Sequence, residues 1–136
     1  MIPKFRFYSK RMNKIGIVIS LKPLRNRVYV EWDDTLSGTE NIDDNGILMQ
    51  SIGMFDDSTP KKEILEGDIV ETIYNGELFT GVIVYDQEET GFKATNGRNE
   101  YCNNFCYLGG NDSIIVIGNI YQNPELLREA ENDTDV

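Results

Sequence analysis

Carboxylates are the most abundant groups in this sequence that could perform catalysis. The 136 residues include 23 Asp and Glu and no His. Without His, neither a Ser-His-Asp site nor a Cys-His site can be assembled, and no glycine-rich phosphate loop precedes a helix. Adjacent acids occur at Asp33-Asp34, Asp56-Asp57 and Glu88-Glu89. Neighbours on turns point apart into water, so we expect solvated surfaces and no catalytic residue.

Two other acidic segments resemble functional sites but are better explained as turns. Gly67 separates Glu66 from Asp68 at the entrance of a strand, where Asp68 can accept backbone N–H bonds. Residues 41–46 match the first half of a calcium loop, but its twelfth position is Ile52, where a bidentate Glu is required. An EF-hand is therefore excluded.

Only two cysteines are present, Cys102 and Cys106. Because no His is present to complete a tetrahedral ligand set, we do not expect a structural zinc site. We expect both cysteines to be buried or half-buried free thiols. The sequence predicts no metal and no cofactor.

The amino-terminal third predicts β-strands. Residues 4–8 form one, and Ile15, Ile17, Ile19 and Leu21 recur at period two, as on a strand with one buried face. Val28, Val30 and Trp32 continue the alternation, which predicts a basic hairpin over about 14–33. Residues 33–46 are acidic and rich in turn formers, and we expect a mobile surface loop there that links two domains, 1–46 and 47–136.

The second domain has short strand signals at close spacing. Residues 47–50 predict a strand, and 68–74 and 77–85 predict a hairpin around Asn75-Gly76, the pair favoured in a type I′ turn. A second hairpin is predicted from 92–95 and 100–108, and a buried strand from 114–117. This pattern favours an SH3-like barrel, followed by one short helix that Asn123 caps and Pro124 begins.

Charge divides the chain unevenly. Residues 1–30 hold eight bases and no acid, a formal +8, whereas residues 31–136 hold five bases and all 23 acids, a formal −18. No apolar run is long enough for a membrane helix or a signal peptide, so we expect a cytoplasmic protein.

The basic residues of the amino-terminal segment are interleaved with aromatic ones, which makes this segment the candidate interaction site. Three interpretations are open: an arm that binds phosphates and stacks bases, an electrostatic clasp to an acidic body, or a solvated strand edge. The clasp is favoured because an acidic body repels nucleic acid. The candidate residues are Lys4, Phe5, Arg6, Phe7, Tyr8, Lys10, Arg11, Arg25 and Arg27.

Five blocks of sequence are informative together: 4–7 (KFRF), 48–53 (LMQSIG), 62–70 (KEILEGDIV), 81–86 (GVIVYD) and 117–127 (IGNIYQNPELL). In this order they resemble the YopX family of phage and prophage proteins. The opening lacks the tryptophan expected after Phe7, and the segment 15–33 with its acidic loop looks particular to this chain. The resemblance implies an SH3-type barrel in the carboxy-terminal half and a phage or prophage source, and it implies no catalytic motif.

The function that these features favour is non-enzymatic: an accessory protein that assembles with itself, or binds a host protein, through its barrel faces and charge asymmetry. The alternative is a nucleic-acid-linked role, through the basic arm or through an acidic body that mimics DNA. A hydrolase that uses carboxylates alone is the enzymatic alternative.

Overall fold

A computed structural model describes residues 4–74, 76–88, 90–96 and 113–127 of the chain. The described residues are mainly β, as predicted, and they form two antiparallel sheets with the strand orders β4-β3-β2-β1-β5-β6 and β10-β7-β8-β9. The strands are β1 (Phe5–Ser9), β2 (Lys14–Lys22), β3 (Arg27–Glu31), β4 (Ser37–Asn41), β5 (Gly46–Phe55), β6 (Glu63–Leu65), β7 (Asp68–Tyr74), β8 (Glu77–Asp86), β9 (Gly91–Thr95) and β10 (Ile114–Asn119).

The chain divides into two compact units, Met1–Ser51 and Ile52–Val136. The division falls within β5, a few residues after the boundary at 46 that the sequence suggested. Each unit has its own apolar cluster. Phe7, Val28 and Val30 are the buried centre of the first, and Ile64, Val70, Phe79, Ile83, Ala94 and Ile114 are the buried centre of the second.

The predicted hairpin of the first unit forms, but the buried face predicted for its first strand is wrong. Ile17 and Ile19 are 58% and 56% exposed, while Val18 packs against the apolar cluster. The pairing of β2 with β3 shifts between Val18 and Ser20, so Ile19 is an extra residue in the ladder. This β-bulge reverses the side-chain alternation and lets Leu21 rejoin the cluster.

The segment 33–46 is also different from the prediction, because it contains a strand and is not a loop throughout. Residues of β4 pair in register with β3, from Arg27 opposite Asn41 to Glu31 opposite Ser37. The turn before β4 depends on Asp33, whose Oδ1 accepts the backbone N–H groups of Thr35 and Leu36, both at 2.8 Å. These hydrogen bonds hold the pKa of the Asp33 carboxyl below its usual value.

In the second unit, the hairpin predicted around Gly76 is confirmed. β7 and β8 pair from Ile69 opposite Val82 to Tyr74 opposite Glu77, and Gly76 has a φ of +79°. Asn75, Cys102, Cys106 and the predicted strand over 100–108 lie outside the described residues, although β9 forms where the first strand of that second hairpin was expected.

Neither sheet is closed within the described ranges, so the SH3-like barrel is not confirmed. The predicted helix begins at Pro124 and is described through residue 127. Asn123 lies at its start, and its Oδ1 accepts the backbone N–H of Asn119 at 3.2 Å, which fastens the helix start to the end of β10. No helix among the described residues is long and apolar enough to cross a membrane.

Candidate interaction surface

The aromatic residues of the basic segment are mostly interior. Phe7 is 1% exposed and its ring packs edge-on against Trp32, with centroids 6.1 Å apart. Tyr8 is buried on the opposite face of β1, and its hydroxyl donates to Asn13 Oδ1 at 2.7 Å. Since base stacking requires an exposed ring face, only half-buried Phe5 could stack a base, and the interpretation of this segment as a stacking arm loses its support.

The basic side chains of β1 and the following turn lie at the surface or near it. Lys4 is exposed and its carbonyl accepts the N–H of Ser51 at 2.8 Å, while Arg6 is half-buried. Lys10 and Arg11 are exposed in the turn between β1 and β2. Arg11 forms an ion pair with Glu40 of β4 at 3.6 Å, which is an electrostatic contact inside the first unit.

Arg25 and Arg27 lie at the end of the β2–β3 hairpin. Residues Pro23–Arg25 form a single 3-10 turn, in which Leu24 is fully exposed and Arg25 is exposed. Arg27 stands directly opposite Lys22 in the ladder, and both are exposed. Like charges in such a cross-strand pair repel each other, so this end of the hairpin favours an external anion.

Exposed apolar residues continue the same surface along the hairpin. Ile17 pairs with Glu31 in the ladder, and its side chain points away from the apolar cluster. Tyr29, which pairs with Ser20, is 41% exposed, and the bulged residue Ile19 lies between Ile17 and Ser20 on β2. We call this surface the hairpin face: Ile17, Ile19, Lys22, Arg27 and Tyr29. The sequence prediction missed it because the isoleucine alternation indicates a buried strand face.

The second unit has an apolar surface with acidic neighbours. Ile73 of β7 and Leu78 of β8 form an exposed cross-strand pair, and Ile115 lies on β10, the other neighbour of β7, opposite Glu71. All four side chains alternate with the buried residues Val70, Thr72, Phe79 and Ile114, and therefore point away from the second apolar cluster. We call this surface the acidic face: half-buried Glu71 with exposed Ile73, Leu78 and Ile115.

The folded units redistribute the charge that the sequence divides at residue 30. Residues 1–51 contain eight bases and six acids, a net +2, because Glu31, the acidic turn and β4 fold together with the basic strands. Residues 52–136 contain five bases and 17 acids, a net −12. The strong imbalance belongs to the second unit, and the first unit concentrates exposed bases locally.

The buried carboxylate of Asp56, in the second unit, is bound by hydrogen-bond donors. Asp56, which is 1% exposed, accepts four hydrogen bonds: from the N–H groups of Ser58, Lys62 and Val116 at 2.7–3.1 Å, and from the Ser58 hydroxyl at 2.7 Å. Burial alone would raise the pKa of Asp56, but these hydrogen bonds outweigh it and lower the pKa to about 2. The prediction that the Asp56-Asp57 pair forms a solvated face is therefore wrong for Asp56.

Asp57 and Asp68 bind backbone groups as well. Asp57 Oδ2 accepts the N–H of Ile114 at 2.8 Å, so both acids of the pair fasten the 56–62 turn to β10. Asp68 Oδ2 accepts the N–H of Leu65 at 2.9 Å, as expected for the turn. Gly67 has a φ of +86°, and a Cβ added there would lie 2.6 Å from Tyr121 Cε2.

A small polar cavity of about 100 Å³ lies in the first unit, between the end of β1 and the β4–β5 turn. Four of its polar side chains have partners: Arg11 pairs with Glu40, Asp43 Oδ1 accepts the N–H of Asn45 at 2.8 Å, and Ser9 Oγ accepts the N–H of Met12 at 3.2 Å. Sites for small molecules usually measure about 300–1,000 Å³, so this cavity has room for a few waters. The described residues contain no cluster of three or more His, Cys, Asp or Glu that could hold a metal.

These features define a mainly β protein of two units, in which the described residues form two antiparallel sheets. The YopX protein family model matches residues 4–128, and the chain belongs to this family. It is similar to the crystal structure of protein EF1440 from Enterococcus faecalis, with 25% sequence identity and a TM-score of 0.60, over 93% of this chain and 99% of that one. Among curated proteins, none matches.

Proposed function

We propose that this chain is a non-enzymatic interaction protein that assembles with itself, or docks on a host protein, through surfaces of opposite charge. Its setting would be a phage or prophage accessory role in the host cytoplasm, with residues 47–136 completing an SH3-like barrel as scaffold. The observation that carries the proposal is the pair of exposed surfaces, one apolar and basic on a near-neutral unit, the other apolar and acidic on a unit of net −12.

The environments of the carboxylates support a binding role over catalysis. A carboxylate that acts as a general base needs a pKa near the working pH and a route to substrate. Asp56 instead has a pKa near 2 and is surrounded by backbone donors, and Asp68 is held by the Leu65 N–H. Asp33, also a turn residue, has a lowered pKa and accepts two backbone N–H groups.

Exposed apolar residues that border charged side chains also support an interaction role. A single exposed Ile or Leu is ordinary, but neighbouring exposed apolar residues bordered by charge mark protein contact surfaces. The hairpin face and the acidic face both have this composition. Complementary charge at such surfaces speeds encounter and fixes orientation, and the apolar residues contribute affinity.

Size-exclusion chromatography with light scattering, across a salt series, tests the self-assembling form of the proposal. We expect a mass above 15.5 kDa at low salt that falls as salt increases, because the Debye length shrinks from about 10 Å at 0.1 M to about 3 Å at 1 M. A monomer at every ionic strength and concentration contradicts self-assembly and leaves only the host-protein form, which affinity purification from the native host tests separately.

Mimicry of DNA is the second candidate, and the net −12 of the second unit favours it over a basic nucleic-acid-binding arm. An acidic surface of this kind would occupy a host DNA-binding protein. Electrophoretic mobility shift at low salt separates the alternatives: a shifted DNA band supports the arm, whereas loss of a host factor's own DNA complex supports mimicry.

A further inference from the structure

We propose that the hairpin face of one copy docks on the acidic face of a second copy. This inference rests on the proposed function and names the surfaces through which self-assembly occurs. The occupant of each face is the other face of the same chain, because the two surfaces match in apolar content and have opposite charge.

The hairpin face is built to meet an anionic, apolar partner. Lys22 and Arg27 are opposite each other in the ladder, and neither forms an ion pair with a residue in the described part of the chain. A carboxylate placed between them relieves their repulsion. Ile17, Ile19 and Tyr29 extend the same surface away from the hairpin end, so the charged contact and the apolar contact are adjacent.

The acidic face supplies a carboxylate beside apolar groups. Glu71 lies between Ile115 and Ile73 on the outward side of the sheet, with Leu78 beside Ile73, on a unit of net −12. Within the described ranges Glu71 forms no ion pair. An acidic partner protein would be repelled by this face, whereas the basic hairpin face of another copy is attracted to it.

The contact joins two different surfaces and is therefore head-to-tail. Such contacts generate a ring where the rotation between copies closes, and an open chain where it does not. In a closed ring the mass reaches a plateau as the protein concentration increases, and in an open chain it continues to grow. Both results require the same pair of faces.

Charge reversal on the hairpin face is the first test. We expect the double variant Lys22→Glu, Arg27→Glu to associate about tenfold or more weakly than the wild type in sedimentation equilibrium at low salt, since close charge pairs at interfaces are strongly coupled. The matched control is Lys10→Glu with Lys61→Glu, which changes the formal charge equally at exposed positions outside both faces. We expect the control to lose much less affinity.

Reversal of the partner face makes the test specific to this pair of surfaces. The variant Glu71→Lys is likewise expected to associate about tenfold or more weakly, so both variants are monomeric at a concentration where the wild type assembles. When Glu71→Lys is mixed in equal amounts with the hairpin variant, every interface is complementary again, and we expect assembly to return. Circular dichroism establishes that each variant is folded before mixing.

An apolar variant provides evidence independent of charge. Ile17→Thr with Ile19→Thr keeps β-branched side chains on the exposed strand and removes apolar contact, so we expect weaker association with unchanged folding. Phe55→Thr, which removes an exposed apolar side chain outside both faces, is the control.

The possible outcomes separate the two proposals. A wild type that assembles while the hairpin variants assemble equally well overturns the docking faces and leaves self-assembly standing. Failure of the mixed charge variants to assemble, with both folded and each monomeric alone, also overturns the pairing of these faces. A monomeric wild type overturns self-assembly itself.

Discussion

Replacement of Asp56 by Asn tests a buried carboxylate that accepts four hydrogen bonds. The side chain keeps its size, but it loses its charge and one of its two acceptor oxygens becomes a donor. In the wild type, Oδ1 accepts from the N–H groups of Ser58 and Lys62, and Oδ2 accepts from the Ser58 hydroxyl and the Val116 N–H. Either orientation of the amide leaves at least one backbone N–H facing a donor.

The expected cost follows from the pKa and from the lost acceptor. A fall in the Asp56 pKa from 3.8 to about 2 corresponds to about 2 kcal/mol of native-state stabilisation, at about 1.4 kcal/mol per pH unit. A buried N–H without an acceptor adds about 1–3 kcal/mol. These contributions overlap, so we expect the free energy of unfolding to fall by about 3 kcal/mol at pH 7.

Urea unfolding followed by circular dichroism measures this change, with exposed Asp34→Asn as the matched control. We expect the control to change the free energy of unfolding by less than about 0.5 kcal/mol, as surface substitutions usually do. The same small change for Asp56→Asn would refute the structural role assigned to this carboxylate.

The pH dependence of the stability difference between the wild type and Asp56→Asn is a second test. Because the native pKa is depressed, the charge of Asp56 stabilises the fold above pH 3.8 and loses this effect as the pH falls toward 2. Asn does not titrate, so the stability gap between wild type and variant should shrink by about 2 kcal/mol between pH 5 and pH 2. A gap that stays constant over this range contradicts the assignment.

Two further pairs of variants test the turn and the first core. Gly67→Ala should destabilise the protein by about 2–4 kcal/mol, and Gly76→Ala by about 1 kcal/mol, since both have positive φ but only at Gly67 does the new Cβ meet Tyr121. Equal losses of stability in urea would contradict this reason. Phe7→Ala should cost about 3–5 kcal/mol as a buried core truncation, and half-buried Phe5→Ala much less, measured by Trp32 fluorescence during unfolding. A loss in the free energy of unfolding for Phe7→Ala as small as that for Phe5→Ala would contradict the placement of the Phe7 ring in the core.

Local signals in the sequence predicted much of the fold correctly. The β7–β8 hairpin was predictable because Gly76 lies between two strand-like runs, and the pairing has that register. Val28 and Val30 were correctly expected to be buried, since their strand has no irregularity and its alternation is unbroken. These features depend on residues close together in the chain.

Features that depend on distant partners were not predictable. The bulge at Ile19 arises from the pairing of β2 with β3, and one extra residue reverses which side chains face the core. Strand β4 carries almost no apolar residues and is recognisable only by its hydrogen bonds to β3. Burial of Asp56 depends on the N–H of Val116, sixty positions later.

The basic residues of the candidate interaction surface could be predicted from the sequence, but its exposed apolar residues could not. Counting charges identified Arg25 and Arg27, which are exposed as a binding residue must be. The alternation of basic and aromatic residues placed Phe7 and Tyr8 in the candidate site, although the fold of the first unit buries them. Ile17 was missed because period-two isoleucines indicate a core face unless the bulge is known.

The most direct test of the central claim is the mass of the wild-type protein by light scattering at 50 mM and 500 mM salt, over a range of concentrations. Docking of the hairpin face on the acidic face predicts an assembly at 50 mM that dissociates toward the 15.5 kDa monomer at 500 mM. A monomer at 50 mM salt, at the highest concentration measured, would contradict self-assembly through complementary charge.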